Sequence, residues 1–429
     1  MANPDQPHPA TDLLKRDRPQ IQGQSEEEPI IHGDDLIRET LDAIVNLDYS
    51  YLFIQGPPGT GKTYLSSHII VALIQQGYKI GVASNSHKAI HNLIARVETV
   101  AAEQEVEFQG CKKGSKNNAG SQFQGSFIQT VNNHKEINWD ANLFAGTAWC
   151  FANEQFQGQL DYLFIDEAGQ VATANVVAMA NAARNIVLVG DQMQLGQPIQ
   201  GTHPGEAGLS VLGFLLRDRA TIPANQGIFL PETRRLHPNI CRFISEAFYE
   251  GRLTAHESTK ARQLDLQNTD LPNTGIVMLP AHHDGCGQKS IVEGEIIEAK
   301  YQQLLGQTIA ETDGTTRDIT ADDILIVTPY NVQVNYLRSL LPDEARIGTV
   351  DKFQGQEAPI TLISMVTSSA EHLPRHIEFL YSPNRLNVAI SRAQCLAVVV
   401  ANPKLLEIPC QTVEQLQLVN TFCRLSLIS

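Results

Sequence analysis

The sequence has no long apolar run, no closely paired cysteines and no excess of positive charge. Its apolar runs, such as residues 397–401, are far too short to cross a bilayer, and residues 1–30 lack the apolar core of a signal peptide. The seven cysteines are scattered without a C-x-x-C pair, which argues against a disulfide framework, a zinc site or an iron–sulfur cluster. These absences predict a cytoplasmic protein with no membrane partner.

The charge balance is acidic, with 47 acidic and 32 basic residues and a formal net charge of −15. Such a balance lacks the basic footprint of many nucleic-acid-binding proteins. It weakens that function class without excluding it, because a groove that follows a single strand needs only local positive charge and stacking surfaces.

Residues 56–63 fit the phosphate-loop pattern G-x-x-x-x-G-K-[ST] at every position. An apolar strand-like run precedes them and an apolar helical pattern follows, which is the context that the motif requires. The expected roles are a cradle of backbone amides, a lysine on the β- and γ-phosphates and a threonine hydroxyl on Mg²⁺. A glycine-rich turn without a ligand is the bland alternative, and eight matching positions disfavour it. The predicted nucleotide-binding residues are Gly56, Pro57, Pro58, Gly59, Thr60, Gly61, Lys62 and Thr63.

The rest of the chain alternates strand and helix patterns, which is typical of α/β domains with parallel, doubly wound sheets. We expect a disordered arm or linker at 1–30, a first domain at 31–215 and a second at 216–429. Residues 104–142 are rich in Gly, Asn and Gln and predict an insertion, either a small subdomain or a surface loop. The length of 429 residues suits two domains.

Two carboxylates, Asp166 and Glu167, follow an apolar strand about a hundred residues after the phosphate loop. This position suits Asp166 for holding Mg²⁺ and Glu167 for positioning the attacking water. Gln194 follows the next strand and could sense the γ-phosphate. The segment 282–286 contains two histidines, an aspartate and a cysteine, but its spacing fits no standard metal site, and a polar loop is the better interpretation.

Eight ordered segments resemble motifs I to VI of superfamily 1 helicases: GPPGTGKT, ASNSHKAI, FIDEAGQ, LVGDQMQLGQP, RRLHP, TPYNVQ, GTVDKFQGQE and RLNVAISRA. The branch that looks similar contains the nonsense-mediated-decay RNA helicase and the Okazaki-fragment nuclease-helicase. The helicase half of bacterial RecB-like nuclease-helicase fusions looks closer still. The resemblance implies two tandem RecA-like P-loop NTPase domains that use ATP and Mg²⁺.

The resemblance also implies roles for individual residues. Lys62 and Glu167 would be catalytic, and Arg235 and Arg392 would reach across from the second domain as arginine fingers. The loop containing Gln354, Gly355 and Glu357 would face the nucleotide with Gln194. The expected single-strand channel contains Ser84, Asn85, Gly146, Thr147, Thr328, Thr349 and Asp351.

The function predicted from this resemblance is an ATP-dependent helicase or translocase on single-stranded nucleic acid. Single-stranded DNA, in repair or recombination and with 5′-to-3′ movement, is the favoured track, and RNA is an alternative. A clamp that binds a strand without unwinding is a second alternative. The sequence has no recognisable nuclease motif, so a separate nuclease subunit is a candidate partner.

Overall fold

The computed structural model describes residues 7–196, 201, 203–353, 355–373 and 377–427. Its contacts divide the chain into two compact units. The first unit contains Met1–Pro57, Gly61–Gln192 and Gly196–Leu230, and the second contains Pro58–Thr60, Met193–Leu195 and Pro231–Ser429. In the described part of the chain, no helix is both long and apolar enough to cross a membrane.

The first unit is a parallel sheet with helices packed on it. Its strands are β1 (Tyr51–Gln55), β2 (Ile80–Ala83), β3 (Gly110–Lys113), β4 (Ile128–Val131), β5 (Leu143–Gly146), β6 (Leu160–Ile165), β7 (Ala183–Gly190) and β8 (Ile228–Phe229). Its helices are α1 (Pro9–Lys15), α2 (Leu36–Val45), α3 (Lys62–Gln75), α4 (His87–Glu103), α5 (Ala148–Phe151), α6 (Thr173–Ala180) and α7 (Val211–Leu216).

The strand order of this sheet is β4-β3-β5-β2-β6-β7-β1-β8, and every pairing in it is parallel. Its central strands are buried on both faces, which suits their continuous apolar sequences. Because all the strands run in one direction, the segments that follow them lie along one edge of the sheet. We call it the carboxyl edge of the first sheet, and ligands of open α/β sheets bind at such edges.

The N-terminal segment differs from the predicted disordered arm. Helix α1 buries Leu13 completely, and the Ser50 hydroxyl donates to the Asp12 carboxylate at 2.7 Å. The Arg16 guanidinium donates to the Phe214 carbonyl at 2.7 Å and lies 3.7 Å from the centre of its ring. A few contacts thus hold a segment whose composition alone suggested disorder, and the described residues of this segment belong to the first unit.

The predicted insertion 104–142 is neither a separate subdomain nor a bare loop. Its strands β3 and β4 extend the first sheet, with β3 paired to β5. The boundary between the units also lies later than predicted, since β8 at Ile228–Phe229 pairs with β1 in the first sheet.

The second unit contains a parallel sheet of order β12-β18-β17-β15-β16 and two small sheets, β10-β9 and β11-β13-β14. Its strands are β9 (Glu232–Thr233), β10 (Thr254–Ala255), β11 (Gln263–Asp265), β12 (Gly275–Pro280), β13 (Thr308–Ala310), β14 (Thr316–Asp318), β15 (Ile324–Thr328), β16 (Arg346–Thr349), β17 (Ala358–Ser364) and β18 (Ala393–Ala401). Its helices are α8 (Pro238–Phe248), α9 (Ile291–Leu304), α10 (Asn331–Leu340), α11 (Ile377–Leu380), α12 (Pro383–Ile390) and α13 (Val413–Ser426). The predicted fold class, tandem α/β units with parallel sheets, is confirmed.

Candidate functional site

The phosphate loop begins where the buried strand β1 ends, and helix α3 begins at its lysine. Gly61 precedes that helix with φ +81°, a left-handed conformation that favours glycine. The Lys62 Nζ donates to the Gly56 carbonyl at 2.6 Å, so the ammonium lies folded over the start of the loop. Thr63 is in the first turn of the same helix, half-buried. These residues could hold a phosphate group with backbone amides and one cation.

Asp166 follows β6 at the same edge and is only 8% exposed. The pKa of this carboxyl is raised to about 7, first by burial and then by the negative charge of Glu167, while a hydrogen bond from the Glu167 amide and the Lys62 ammonium act in the opposite direction. A buried carboxylate beside a second one is costly without a cation. A divalent ion would relieve that cost.

The donor set suits Mg²⁺ bound together with a nucleotide. No group of three or more His, Cys, Asp or Glu side chains able to hold a metal occurs in the described residues. Mg²⁺ in nucleotide sites needs only one or two protein oxygens, because phosphate oxygens and waters complete its shell. Asp166 and the Thr63 hydroxyl could supply those oxygens.

Glu167 has a left-handed backbone with φ +52°, which is uncommon for a residue with a side chain. The loop after it packs closely on the end of β7, since a Cβ on Gly169 would lie 2.6 Å from the Asp191 carbonyl oxygen. The Gln170 amide lies 3.5 Å from the Glu167 carboxylate. Backbone strain held by such packing is typical of positioned functional groups.

Two neighbouring strands carry the residues predicted to contact a nucleic-acid strand. Ser84 follows β2 and is 3% exposed, and among the described residues its buried hydroxyl has no hydrogen-bond partner. The Asn85 amide donates to the Gln170 carbonyl. Gly146 and Thr147 are at the end of β5, which pairs with β2. The Asn85 to Gln170 contact joins the loop predicted to bind a strand to the loop of the two carboxylates.

In the second unit, Arg235 and Arg392 are near one another on the side where β17 and β18 begin. Arg235 forms an ion pair with Glu357, and its guanidinium lies 3.4 Å from the Ser391 carbonyl. Arg392 is 2% exposed and donates to the carbonyls of Gln356 at 2.9 Å and Val388 at 3.2 Å.

The surroundings of Glu357 favour its charged form. Burial would raise its pKa, but the Arg235 charge and a hydrogen bond from the Gln394 amide at 2.8 Å outweigh burial and lower it. Gly355 has φ +76°. Gln354 lies outside the described residues. Pro58, Gly59, Thr60 and Gln194, predicted with the first domain, belong to segments grouped with the second unit.

The other predicted strand-binding residues of the second unit follow β15 and β16, at the carboxyl edge of its sheet. Thr328 is fully buried, and its hydroxyl has no hydrogen-bond partner among the described residues. Thr349 ends β16 and is half-buried. The Asp351 carboxylate forms an ion pair with Arg385 at 3.1 Å. Because a carboxylate repels phosphate, Arg385 is the better candidate for that contact, and Asp351 orients it.

A buried polar network beside that edge could not be predicted from the sequence. Glu293 is fully buried and its carboxylate accepts from the Ser364 hydroxyl at 2.7 Å and the Val366 amide at 2.8 Å. His283 Nε2 lies 3.0 Å from the same carboxylate, and its Nδ1 lies 2.7 Å from the Ser368 hydroxyl. A single glutamate thus fixes the turn after β17, and one acidic residue in a helical pattern cannot reveal that. The segment 282–286 is part of this network.

Two family models, each described as an AAA domain, match residues 38–204 and 215–404. DNA polymerase alpha-associated DNA helicase A of Schizosaccharomyces pombe is 26% identical over 79% of this chain and 59% of its own length. DNA-binding protein SMUBP-2 of Mesocricetus auratus is 26% identical over 82% of this chain and 41% of its own. The regulator of nonsense transcripts 1 homolog of Drosophila melanogaster is 26% identical over 87% of this chain and 35% of its own.

The chain therefore spans between about a third and three-fifths of the length of these relatives. The match at 38–204 falls mostly on the first unit, and the match at 215–404 falls mostly on the second. The chain therefore contains two matches to AAA domain models, and it is similar over most of its length to these relatives, one of which is named as a DNA helicase.

Proposed function

We propose that the chain is an ATP-hydrolysing motor that moves along single-stranded nucleic acid. The observation that carries this proposal is the shared carboxyl edge of the first sheet. Lys62, Asp166 and Glu167 lie at this edge and are the residues that we propose for nucleotide chemistry, and Ser84 and Asn85 follow a strand of the same edge. The Asn85 to Gln170 hydrogen bond gives the two sets a direct connection.

The residues of this chain have separable tasks in the proposed hydrolysis. The loop amides and Lys62 bind and orient the phosphates, and Glu167 accepts the proton of the attacking water. Bound Mg²⁺, held by Thr63 and Asp166, would neutralise charge on the phosphate oxygens. Arg235 and Arg392 supply permanent positive charge for the transferring phosphoryl group.

Strand binding in this proposal uses hydroxyl and amide groups more than charge. The hydroxyls of Ser84 and Thr328 are buried, so they contact phosphate or sugar oxygens only if a local rearrangement exposes them when the strand binds. Such contacts carry little sequence information, so binding is expected to be tolerant of sequence. Gly146, Thr147, Thr349 and Arg385 complete the proposed path.

We favour DNA as the track, since two of the relatives are named for binding or unwinding DNA. RNA is the second candidate, because another relative is named as a regulator of nonsense transcripts. Movement in the 5′-to-3′ direction, a role in repair or recombination, a cytoplasmic location and a separate nuclease partner follow only from the sequence analysis.

The decisive experiment measures steady-state ATP hydrolysis without nucleic acid, with single-stranded DNA and with single-stranded RNA of the same sequence. Lys62→Ala should lower turnover at least about 100-fold, because it removes the cation that stabilises the phosphates. Lys15→Ala, an exposed lysine in α1, is the matched control and should behave as wild type.

Stimulation of ATP hydrolysis by one strand type would support the proposed motor and identify the nucleic acid along which it moves. Hydrolysis that is indifferent to both strands would contradict it. Tailed duplexes then separate the motor from the clamp, since a clamp binds them in an ATP-dependent way but displaces no strand from either a 5′ or a 3′ tail.

A further inference from the structure

Trp149 is 87% exposed, more than any other large hydrophobic side chain among the described residues. It lies in α5, directly after Thr147, and its neighbours Cys150 and Phe151 are 4% and 1% exposed. A Cβ on Gly146 would lie 2.6 Å from the Cys150 Cβ, so this glycine lets α5 pack closely on the end of β5. The packing of Cys150 and Phe151 inward leaves the indole facing outward.

A single exposed aromatic residue is ordinary on a protein surface and carries little meaning by itself. What distinguishes Trp149 from other exposed aromatic residues is its position in the fold. It is two residues from Thr147, at the carboxyl edge of the first sheet, where the proposed strand path lies. An indole offers every base a stacking surface, whatever the sequence.

Two lysines of the insertion, one at the end of β3 and one on the loop after it, belong to the part of the first sheet that adjoins β5. Strand β3 pairs with β5, and the Lys113 Cβ lies 3.5 Å from where a Cβ on Gly146 would be. The Lys113 ammonium donates to the carbonyls of Gly114 at 2.6 Å and Asn132 at 2.9 Å, which leaves one of its three donors for an outside acceptor. Lys116 is exposed on the loop that follows β3.

These lysines are not neutralised by nearby carboxylates. In the described part of the chain, neither lysine has a carboxylate within ion-pair distance. Glu136 interacts with both ammonium charges at longer range, while its carboxylate accepts hydrogen bonds from the amides of Asn132 at 3.0 Å and Asn133 at 3.2 Å. Two ammonium groups thus face one carboxylate. The local surface is therefore positive in a protein whose net charge is −15.

A buried cation adds to this positive potential. Lys112 is fully buried, donates to the Ser121 carbonyl and lies 3.2 Å from His87 Nδ1. Burial and then the Lys113 charge lower its pKa to about 8. Burial and then the Lys112 charge lower the pKa of His87 and His91, in keeping with a positive environment at the start of α4.

We propose that Trp149, Lys113 and Lys116, here called the Trp149 patch, form a contact region for single-stranded nucleic acid. One base stacks on the indole, and the lysines bind the adjoining phosphates. The patch extends the strand path from Thr147 towards the inserted strands β3 and β4, which gives the insertion a function. The inference rests on the proposed function, since it adds a contact to the same strand.

Tryptophan fluorescence tests the stacking directly, because the chain contains only two tryptophans. Trp139 packs on Phe144 and Phe156, with ring centres 5.8 and 5.0 Å apart. Titration with short oligothymidylate and oligouridylate should quench the emission of wild type and of Trp139→Phe. Trp149→Phe should bind the strand with little quenching.

Affinity gives an independent measurement. Trp149→Ala should weaken strand binding roughly 10-fold, as loss of one base–aromatic stack does, and Trp149→Phe should retain most of the affinity. Lys113→Ala should make the salt dependence shallower by about 0.7 in the slope of log K against log salt concentration. Tyr49→Ala is the matched control, since Tyr49 is 41% exposed but precedes β1 at the opposite edge of the sheet.

The outcomes separate this inference from the proposed function. Suppose that wild type and Trp149→Ala bind the strand equally well and no quenching occurs. The proposal of the Trp149 patch is then wrong, and the proposed motor function is unaffected. If wild type binds neither strand and its hydrolysis is not stimulated, the proposed function fails and the patch with it. Weaker binding by Trp149→Ala, with Tyr49→Ala unchanged, supports the patch.

Discussion

Asp166 lowers the stability of the protein when neither metal nor nucleotide is bound. Its pKa is raised from the usual range of an aspartate to about 7, first by burial and then by the charge of Glu167. Between about pH 4 and pH 7 the folded state keeps a proton that the unfolded state has lost. The native state binds more protons over that interval, so this group lowers stability as pH rises and its effect is constant above about pH 7.

Replacement of Asp166 by asparagine should therefore stabilise the protein in EDTA at pH 8 while abolishing hydrolysis. Thermal unfolding at pH 5 and at pH 8 measures the effect, and the gain over wild type should be larger at pH 8. An equal melting temperature for the two proteins at pH 8 would contradict the pKa assigned to Asp166.

Arg392 combines a structural role with the proposed catalytic one. Its buried guanidinium holds the carbonyls of Gln356 and Val388. We expect Arg392→Ala to lower the free energy of unfolding by about 3 kcal/mol, because hydrogen bonds to a charged group are lost. Arg385→Ala is the contrast, since Arg385 is half-buried and its ion pair with Asp351 has one exposed partner. It should change stability by less than about 1 kcal/mol.

Denaturant unfolding of the two variants measures this difference. A stable Arg392→Ala with normal hydrolysis would remove the residue from both roles. The sequence placed Arg392 in a motif, but it could not show its burial, because burial depends on what β17 and β18 pack against.

At the scale of the element, Glu293 ties helix α9 to the turn after β17. That turn contains Val366 with φ +72°, a conformation that a β-branched residue adopts only when its surroundings hold it. The Glu293 carboxylate accepts a hydrogen bond from the Val366 amide and so helps to stabilise this backbone conformation.

We expect Glu293→Ala to lower the free energy of unfolding by about 3 to 5 kcal/mol, because it leaves His283, Ser364 and the Val366 amide without their buried acceptor. Glu295→Ala, an exposed glutamate on the same helix, is the control and should be near neutral. Equal unfolding midpoints for the two variants would show that the network contributes nothing.

Elements defined by local pattern were predictable from the sequence. Strand β1, helix α3 and strand β6 were found because apolar runs and glycine spacing are local properties. Helix α1 and strands β3 and β4 were missed, since polar segments become ordered only through contacts with distant parts of the chain, such as the Arg16 contact to Phe214.

At the scale of the whole molecule, the net charge of −15 shapes how a strand can bind. The proposed contacts are mostly hydroxyl and amide groups, with few lysines or arginines. We expect the slope of log K against log salt concentration to be about −1 to −2, because each neutralised phosphate of a single strand contributes about −0.7. Binding measured over a range of salt concentrations gives the slope. A value of −5 or steeper would mean that a larger basic surface takes part.

The order of strands in the first sheet also affects how the chain folds while the ribosome makes it. Strand β1 is completely buried, yet its partners are β7, which begins about 130 residues later, and β8, later still. At roughly 5 to 20 residues per second, a ribosome needs about 6 to 26 s to make that intervening chain. During this time the apolar strand that leads into the phosphate loop lacks both of its neighbours. The nascent chain is therefore expected to need shielding of residues 51–55 until β7 emerges, and ribosome-associated chaperones are the natural candidates for that task.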